Sequence, residues 1–177
     1  KHRFAAVELF GRHLGRLFTQ AEPVSGEETF GDRIISFTHV ITSEGGWVTT
    51  VEDVTERRAQ EARLAYLSRF DALTGLPNRA HVNDRLALDL AWAADNGIKL
   101  AAIGLDLNHF KEINDQRGHS AGDAVLVEIG RRLESATQDG EFVGRVGGDE
   151  YCAFKKFRLQ TEVGEFLGRL ERCFQAP

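Results

Sequence analysis

Leu100-Ala101-Ala102-Ile103-Gly104-Leu105-Asp106-Leu107 is the stretch on which the fold turns. It is a continuous apolar run closed by a carboxylate, which predicts a buried central strand of an α/β sheet, not a strand with one solvated face. Asp106 then sits at a strand end, where such sheets present ligands, and the polar run Asn108-His109-Phe110-Lys111-Glu112-Ile113-Asn114-Asp115 follows at once. Apolar spacing predicts helices over residues 79–96, 109–116, 121–136 and 160–174. Residues 142–146 and 151–154 read as paired strands around Gly147-Gly148-Asp149-Glu150. From Asp71 onward the expected fold class is therefore α/β (α+β), a sheet flanked by helices, without internal repeats.

Upstream, residues 4–18 carry Phe4, Val7, Phe10, Leu14 and Phe18 at broadly helical spacing, predicting one amphipathic helix. After a loop containing Gly26 and Gly31, the β-branched stretches 34–41 and 47–51 flank Ser43-Glu44-Gly45-Gly46 and predict a β-hairpin. Asp53-Val54-Thr55-Glu56 then opens a charged helix with Thr55 as the expected N-cap. Ala59, Ala62, Leu64, Leu67 and Phe70 form a narrow apolar stripe on it, suited either to a short coiled-coil connector or to an ordinary surface helix.

The 177 residues, 42% hydrophobic and 28% charged, suffice for one full domain and a smaller appendage. No run approaches the roughly 20 apolar residues that cross a bilayer, and Lys1-His2-Arg3-Phe4 opens no signal sequence, so no membrane contact is expected of this portion. The net charge of −5 argues against a surface that neutralises nucleic-acid phosphates. Cys152 and Cys173 lack metal-site spacing and are expected as buried, reduced thiols, which fits a cytoplasmic protein. The chain has no Met, even at position 1, which points to a fragment.

The glycines of Gly147-Gly148-Asp149-Glu150 permit a tight turn that thrusts Asp149 and Glu150 outward at a hairpin tip. Carboxylates gathered from that tip and from Asp106 repel unless a hard dication sits between them. Mg²⁺ characteristically takes one or two carboxylates plus phosphate oxygens, so the pattern points to phosphoryl chemistry. Taken singly, a strand-end Asp also serves as a helix cap and Gly-Gly-Asp as a plain turn.

In order and spacing, Asp71-Ala72-Leu73-Thr74-Gly75-Leu76-Pro77-Asn78-Arg79, the Asp106 to Asp115 run, Gly118-His119, Gly122-Asp123 and Arg145-Val146-Gly147-Gly148-Asp149-Glu150-Tyr151 resemble the GGDEF family of diguanylate cyclases. The hairpin, Asp53-Val54-Thr55 and charged helix, roughly residues 30–69, resemble the end of a PAS sensor domain and its signalling helix. The resemblance implies a partial PAS-like region over 1–55, a signalling helix over 56–70 and a GGDEF domain over 71–177. It also implies a sheet related to the palm of nucleotide polymerases and adenylyl cyclases.

The implied activity condenses two GTP to cyclic di-GMP and two pyrophosphates, each 3′-hydroxyl attacking the other nucleotide's α-phosphate within a homodimer. Position by position, Asp106, Asp149 and the Leu107 carbonyl would hold Mg²⁺ or Mn²⁺, and Asp149 and Glu150 belong to the catalytic turn. Asp149 also assists deprotonation of the attacking hydroxyl, and Lys111 stabilises the developing charge. Asn114 and Asp123 would read the guanine edge and reject adenine, with His119 shaping the pocket.

The chain departs from the family at Asn108, Tyr151 and Gln138-Asp139-Gly140-Glu141, where many members carry an Arg-x-x-Asp product-inhibition site. Glutamine cannot make the forked contact of an arginine, so tight product binding is not expected there. The family domain also continues past the equivalent of Pro177 with further strands and a last basic helix. An alternative is a GTP-binding regulatory GGDEF module that adjusts an attached EAL phosphodiesterase; a third is a purely structural dimerisation fragment.

Overall fold

The computed structural model describes residues 24–175, which fall into two compact units meeting in sequence at Leu64 and Ala65. The helix expected over 4–18 lies outside the described residues.

In the first unit, β1 (Val24–Phe30), β2 (Arg33–Ile41) and β3 (Trp47–Asp53) form an antiparallel sheet in that order, with Val24 opposite His39 and Ile35 opposite Asp53. The hairpin of β2 and β3 is the one read from the sequence. β1 replaces the expected loop: Val24-Ser25-Gly26-Glu27-Glu28-Thr29-Phe30 alternates half-buried and exposed positions. Gly26 lets the strand pass close to the buried Phe37 ring, whose Cζ lies 2.8 Å from where a Cβ would stand.

Helix α1 (Thr55–Leu67) follows. Thr55 is not its cap: the Thr55 hydroxyl oxygen accepts from Ile34 N at 2.8 Å and donates to Asp53 Oδ1 at 2.6 Å. The first helical turn instead closes on the carbonyl of buried Val54, which accepts from Arg58 N. Asp53 wins the threonine because it lies two residues away, within reach of both its N–H and its hydroxyl. No residue of α1 is buried, and Phe70 lies beyond the helix, bridged to Pro77.

The second unit is the α/β fold expected: α2 (Arg79–Asp95), β4 (Lys99–Asp106), α3 (Phe110–Arg117), α4 (His119–Ala136), β5 (Glu141–Gly147), β6 (Glu150–Phe157) and α5 (Gln160–Gln175). Its sheet is antiparallel with order β4-β6-β5, so β6 is central. Among the described residues, β4 pairs on one side only, and Ala102, Gly104 and Asp106 are exposed. The apolar run, expected to be a buried central strand, thus has one open face and lies beside the central strand β6.

The other face of β4 presents Ile103 and Leu105 to a core of Leu126, Ile129, Leu133, Val143, Tyr151, Phe166 and Leu170, drawn from α4, α5 and both hairpin strands. On the opposite side of the sheet, Val82 and Leu86 of α2 pack with Phe142 and Phe154. Both cysteines are free; Cys173 is buried, but Cys152, expected to be buried, is half-exposed on β6. Its thiol is nonetheless pushed up by burial of the sulfur.

Candidate active site

The register of β4 and β6 sets Asp106 directly opposite Glu150. Opposed residues of an antiparallel pair have Cβ atoms about 5 Å apart, so both carboxylates project from one face of the sheet. They open onto a groove of about 360 Å³ whose walls include Val82, Leu86, Val146 and Phe154. Asp149 precedes Glu150 at the tip, half-buried, in a two-residue turn between β5 and β6. Gly148 takes φ +54 and Gly147 φ +148, conformations that side chains disfavour, and the register slips between Arg145 and Gly147. The Gly-Gly pair is therefore required by the backbone of the turn.

After β4 the chain reverses at His109, the one described non-glycine residue with positive φ (+62), and Phe110 N donates to the Leu107 carbonyl at 3.3 Å. That reversal brings the start of α3 back beside the strand end and leaves Lys111 exposed in the first turn. Leu107 offers its second carbonyl lone pair alone, since the first is engaged in this turn. His109 Nδ1 lies 2.8 Å from Glu112 Oε1.

Asn114 faces the start of α4: a Cβ on Gly122 would stand 2.9 Å from Asn114 Cγ and closer still to its Oδ1. The missing side chain of Gly122 thus makes the seat for the Asn114 amide, and Asp123 is the next residue, exposed. His119 opens α4 and is exposed. The structure thus sets Asn114 beside the segment that carries Asp123, and Asp106 opposite Glu150 with Asp149 adjoining.

Among the described residues, no group of three or more His, Cys, Asp or Glu is placed to hold a metal by itself. Asp106, Glu150 and Asp149 supply hard oxygen donors of the kind a divalent metal ion takes together with water and phosphate oxygens.

Tyr151 keeps a hydroxyl inside the core by donating to Leu126 O at 2.8 Å, and burial pushes its pKa up to about 12. Glu141, at the last position of the segment without an arginine, is fully buried and paired with both Lys155 (2.7 Å) and Arg169. Burial alone would raise its carboxyl; hydrogen bonds from Arg169, Lys155 and Gln138 N outweigh that and hold it below the usual range.

The sequence had offered no role for Asp71, Arg79 and Arg145. Arg145 donates through Nε (3.0 Å) and Nη2 (2.6 Å) to Gly148 O and through Nη1 (2.8 Å) to Asp71 Oδ1. Arg79 Nε donates to Val146 O at 2.7 Å. Their only signal was membership of the segments 71–79 and 145–151.

The chain is similar to known proteins in sequence and in fold. An uncharacterized signaling protein of Caulobacter vibrioides is 50% identical over 139 residues, 77% of this chain and 17% of that protein. The diguanylate cyclase TpbB of Pseudomonas aeruginosa is 35% identical over 137 residues, 77% of this chain and 30% of TpbB. The chain therefore spans less than a third of these curated relatives. The crystal structure of a sensory box/GGDEF family protein from Caulobacter crescentus superposes with a TM-score of 0.58 at 45% identity, covering 62% of this chain and 71% of that one. Residues 68–176 match the family described as diguanylate cyclase, GGDEF domain, and the chain belongs to that family.

Proposed function

We propose that this chain carries the catalytic domain of a diguanylate cyclase that condenses two GTP to cyclic di-GMP and two pyrophosphates. The observation that carries the proposal is the pairing of Asp106 with Glu150 across the sheet, with Asp149 at the adjoining glycine turn. Asp106, Asp149 and the Leu107 carbonyl would hold a divalent ion, Mg²⁺ or Mn²⁺, which when bound neutralises the triphosphate and lowers the pKa of the attacking hydroxyl. Asp149 accepts the 3′-hydroxyl proton, with Glu150 beside it, while Lys111 at the start of α3 offsets charge developing on the phosphates. Asn114, seated against Gly122, and Asp123 read the guanine edge, with His119 lining the same end of α4.

Each 3′-hydroxyl attacks a phosphate held by another copy, so the active form is a homodimer. Leu64, Tyr66 and Leu67 are exposed on or beside the unburied helix α1, which supports pairing through a signalling helix over 56–70. The antiparallel strands before it support a sensor end of PAS type over 1–55, with the GGDEF domain over 71–177. No helix among the described residues is long and apolar enough to cross a membrane, which is compatible with the cytoplasmic location we propose. Intact Asp149 and Glu150, and a relative named a diguanylate cyclase, support catalysis over a silent regulatory module attached to an EAL domain.

Calorimetry on the complete protein with a GTP analogue uncleavable at the α–β bridge tests the substrate. Binding that the ATP counterpart fails to match by at least tenfold is expected; equal affinity for both removes Asn114 and Asp123 from the reading role.

A further inference from the structure

We infer that Arg145, loaded by Asp71 and seconded by Arg79, is the positioning device of the Gly147-Gly148-Asp149-Glu150 turn, so that a loop seventy residues upstream sets where the carboxylates stand. The inference rests on the metal role proposed for Asp149.

The turn's own ladder is short, since beyond the register shift a single pair, Gly147 opposite Glu150, closes it. The two leading residues of the turn have no side chains, their backbones sit at positive φ, and the ladder is interrupted by the register shift just before them. Two guanidinium groups grip it from outside. Arg145 places a two-pronged contact on Gly148 O, the carbonyl joined by one peptide bond to Asp149. Arg79 holds Val146 O on the incoming strand, and its Nη2 lies 3.8 Å from Glu150 Oε2 on the outgoing one.

Arg145 is itself aimed. Its third contact is to Asp71, whose Oδ1 also accepts from Thr74 N (2.9 Å) and Thr74 Oγ1 (2.7 Å), and its own N–H donates to Pro77 O at 2.9 Å. The Arg145 side chain is only 10% exposed and that of Asp71 25%, so this pair is shielded, unlike the exposed ion pairs elsewhere on the surface. Burial works against the Asp71 charge, but the bonds from Thr74 and Arg145 outweigh it.

The far end of the loop is fixed too. Asn78 Nδ2 donates to Leu67 O at the end of α1, and Asn78 Oδ1 caps α2 at His81 N. A displacement of about 1 Å at reacting groups lowers turnover about a hundredfold, so a fork that fixes the carbonyl next to Asp149 acts on rate without touching substrate.

The test uses the complete protein with Arg145→Lys, which keeps the charge and loses the fork. The kcat for cyclic di-GMP formation is expected to fall about a hundredfold with KM for GTP within about twofold. Mn²⁺ binding followed by electron paramagnetic resonance, with no turnover, is expected to weaken about tenfold. Asp71→Asn is expected to give a smaller loss of the same kind, and the double variant to be no worse than Arg145→Lys, because both act through one guanidinium. Unchanged kcat and Mn²⁺ affinity in Arg145→Lys would overturn the positioning role. So would a collapse of melting temperature together with kcat and KM, which would make the pair a fold element only. Mn²⁺ binding indifferent to Asp149→Ala would instead remove the metal role itself, and the inference with it.

Discussion

Gly122→Ala places one methyl group where the structure has none to spare. The new Cβ would stand 2.9 Å from Asn114 Cγ and 3.2 Å from Phe110 Cζ, where ordinary contact begins at 3.4 Å. The Asn114 amide is the end of a flexible side chain and can withdraw, so the fold is expected to lose only about 1 kcal/mol, the low end of the overpacking range. The withdrawn amide no longer meets the guanine edge, and a hydrogen bond left unmade costs about 1–3 kcal/mol. GTP binding should therefore weaken between about fivefold and a hundredfold, with affinity for ATP unchanged. Calorimetry with an uncleavable GTP analogue measures the loss of binding, and thermal unfolding the loss of stability. A dissociation constant within twofold of the parent, with the helix interface intact, would refute the seating of Asn114 as a base reader.

Glu141 is held below the usual carboxylate range in the folded chain, so its contribution is fully present above the unfolded value near 4.3 and is lost as pH falls through the lower folded value. Urea midpoints should drop below about pH 4.5, and Glu141→Gln should flatten that acid limb while costing about 3–5 kcal/mol at pH 7 by leaving Lys155 and Arg169 uncompensated. An unaltered acid limb in the variant would contradict the assignment. Product feedback should be weak, because Gln138 brings no guanidinium and Glu141 is already saturated from inside. Titrating cyclic di-GMP at fixed GTP checks this, and inhibition at low micromolar product that persists in Gln138→Ala/Glu141→Ala would reveal another inhibitory surface.

The β5–β6 hairpin was legible because Gly147-Gly148 marks a turn that side chains disfavour and the flanking residues are strand formers. The run from Leu100 to Leu107 gave its strand but not its setting. Ala102 and Gly104 are apolar yet too small to signal burial, and pairing order is a long-range property that local pattern does not encode. β1 was hidden by Gly26 and by Glu27-Glu28, whose alternation is visible only once Phe37 is seen to need the space above Gly26. Thr55 misled for a local reason, since Asp53 two residues earlier competes for its hydroxyl. Asp106, Asp149 and Glu150 could be singled out from residue type and setting, and Asn114 and Asp123 from the family resemblance, whereas Arg79 and Arg145 act on backbone carbonyls, with Asp71 behind Arg145, partners that a sequence does not display.

The most direct test of the proposed chemistry is the stoichiometry of the reaction in the complete protein. Incubated with GTP and Mg²⁺, it should release two pyrophosphates for each cyclic di-GMP formed, and Asp149→Ala, a tip residue outside the core clusters, should abolish both while leaving the melting temperature within a few degrees. Undiminished turnover in a folded Asp149→Ala protein, or no cyclic di-GMP from a dimer that binds GTP, would contradict it.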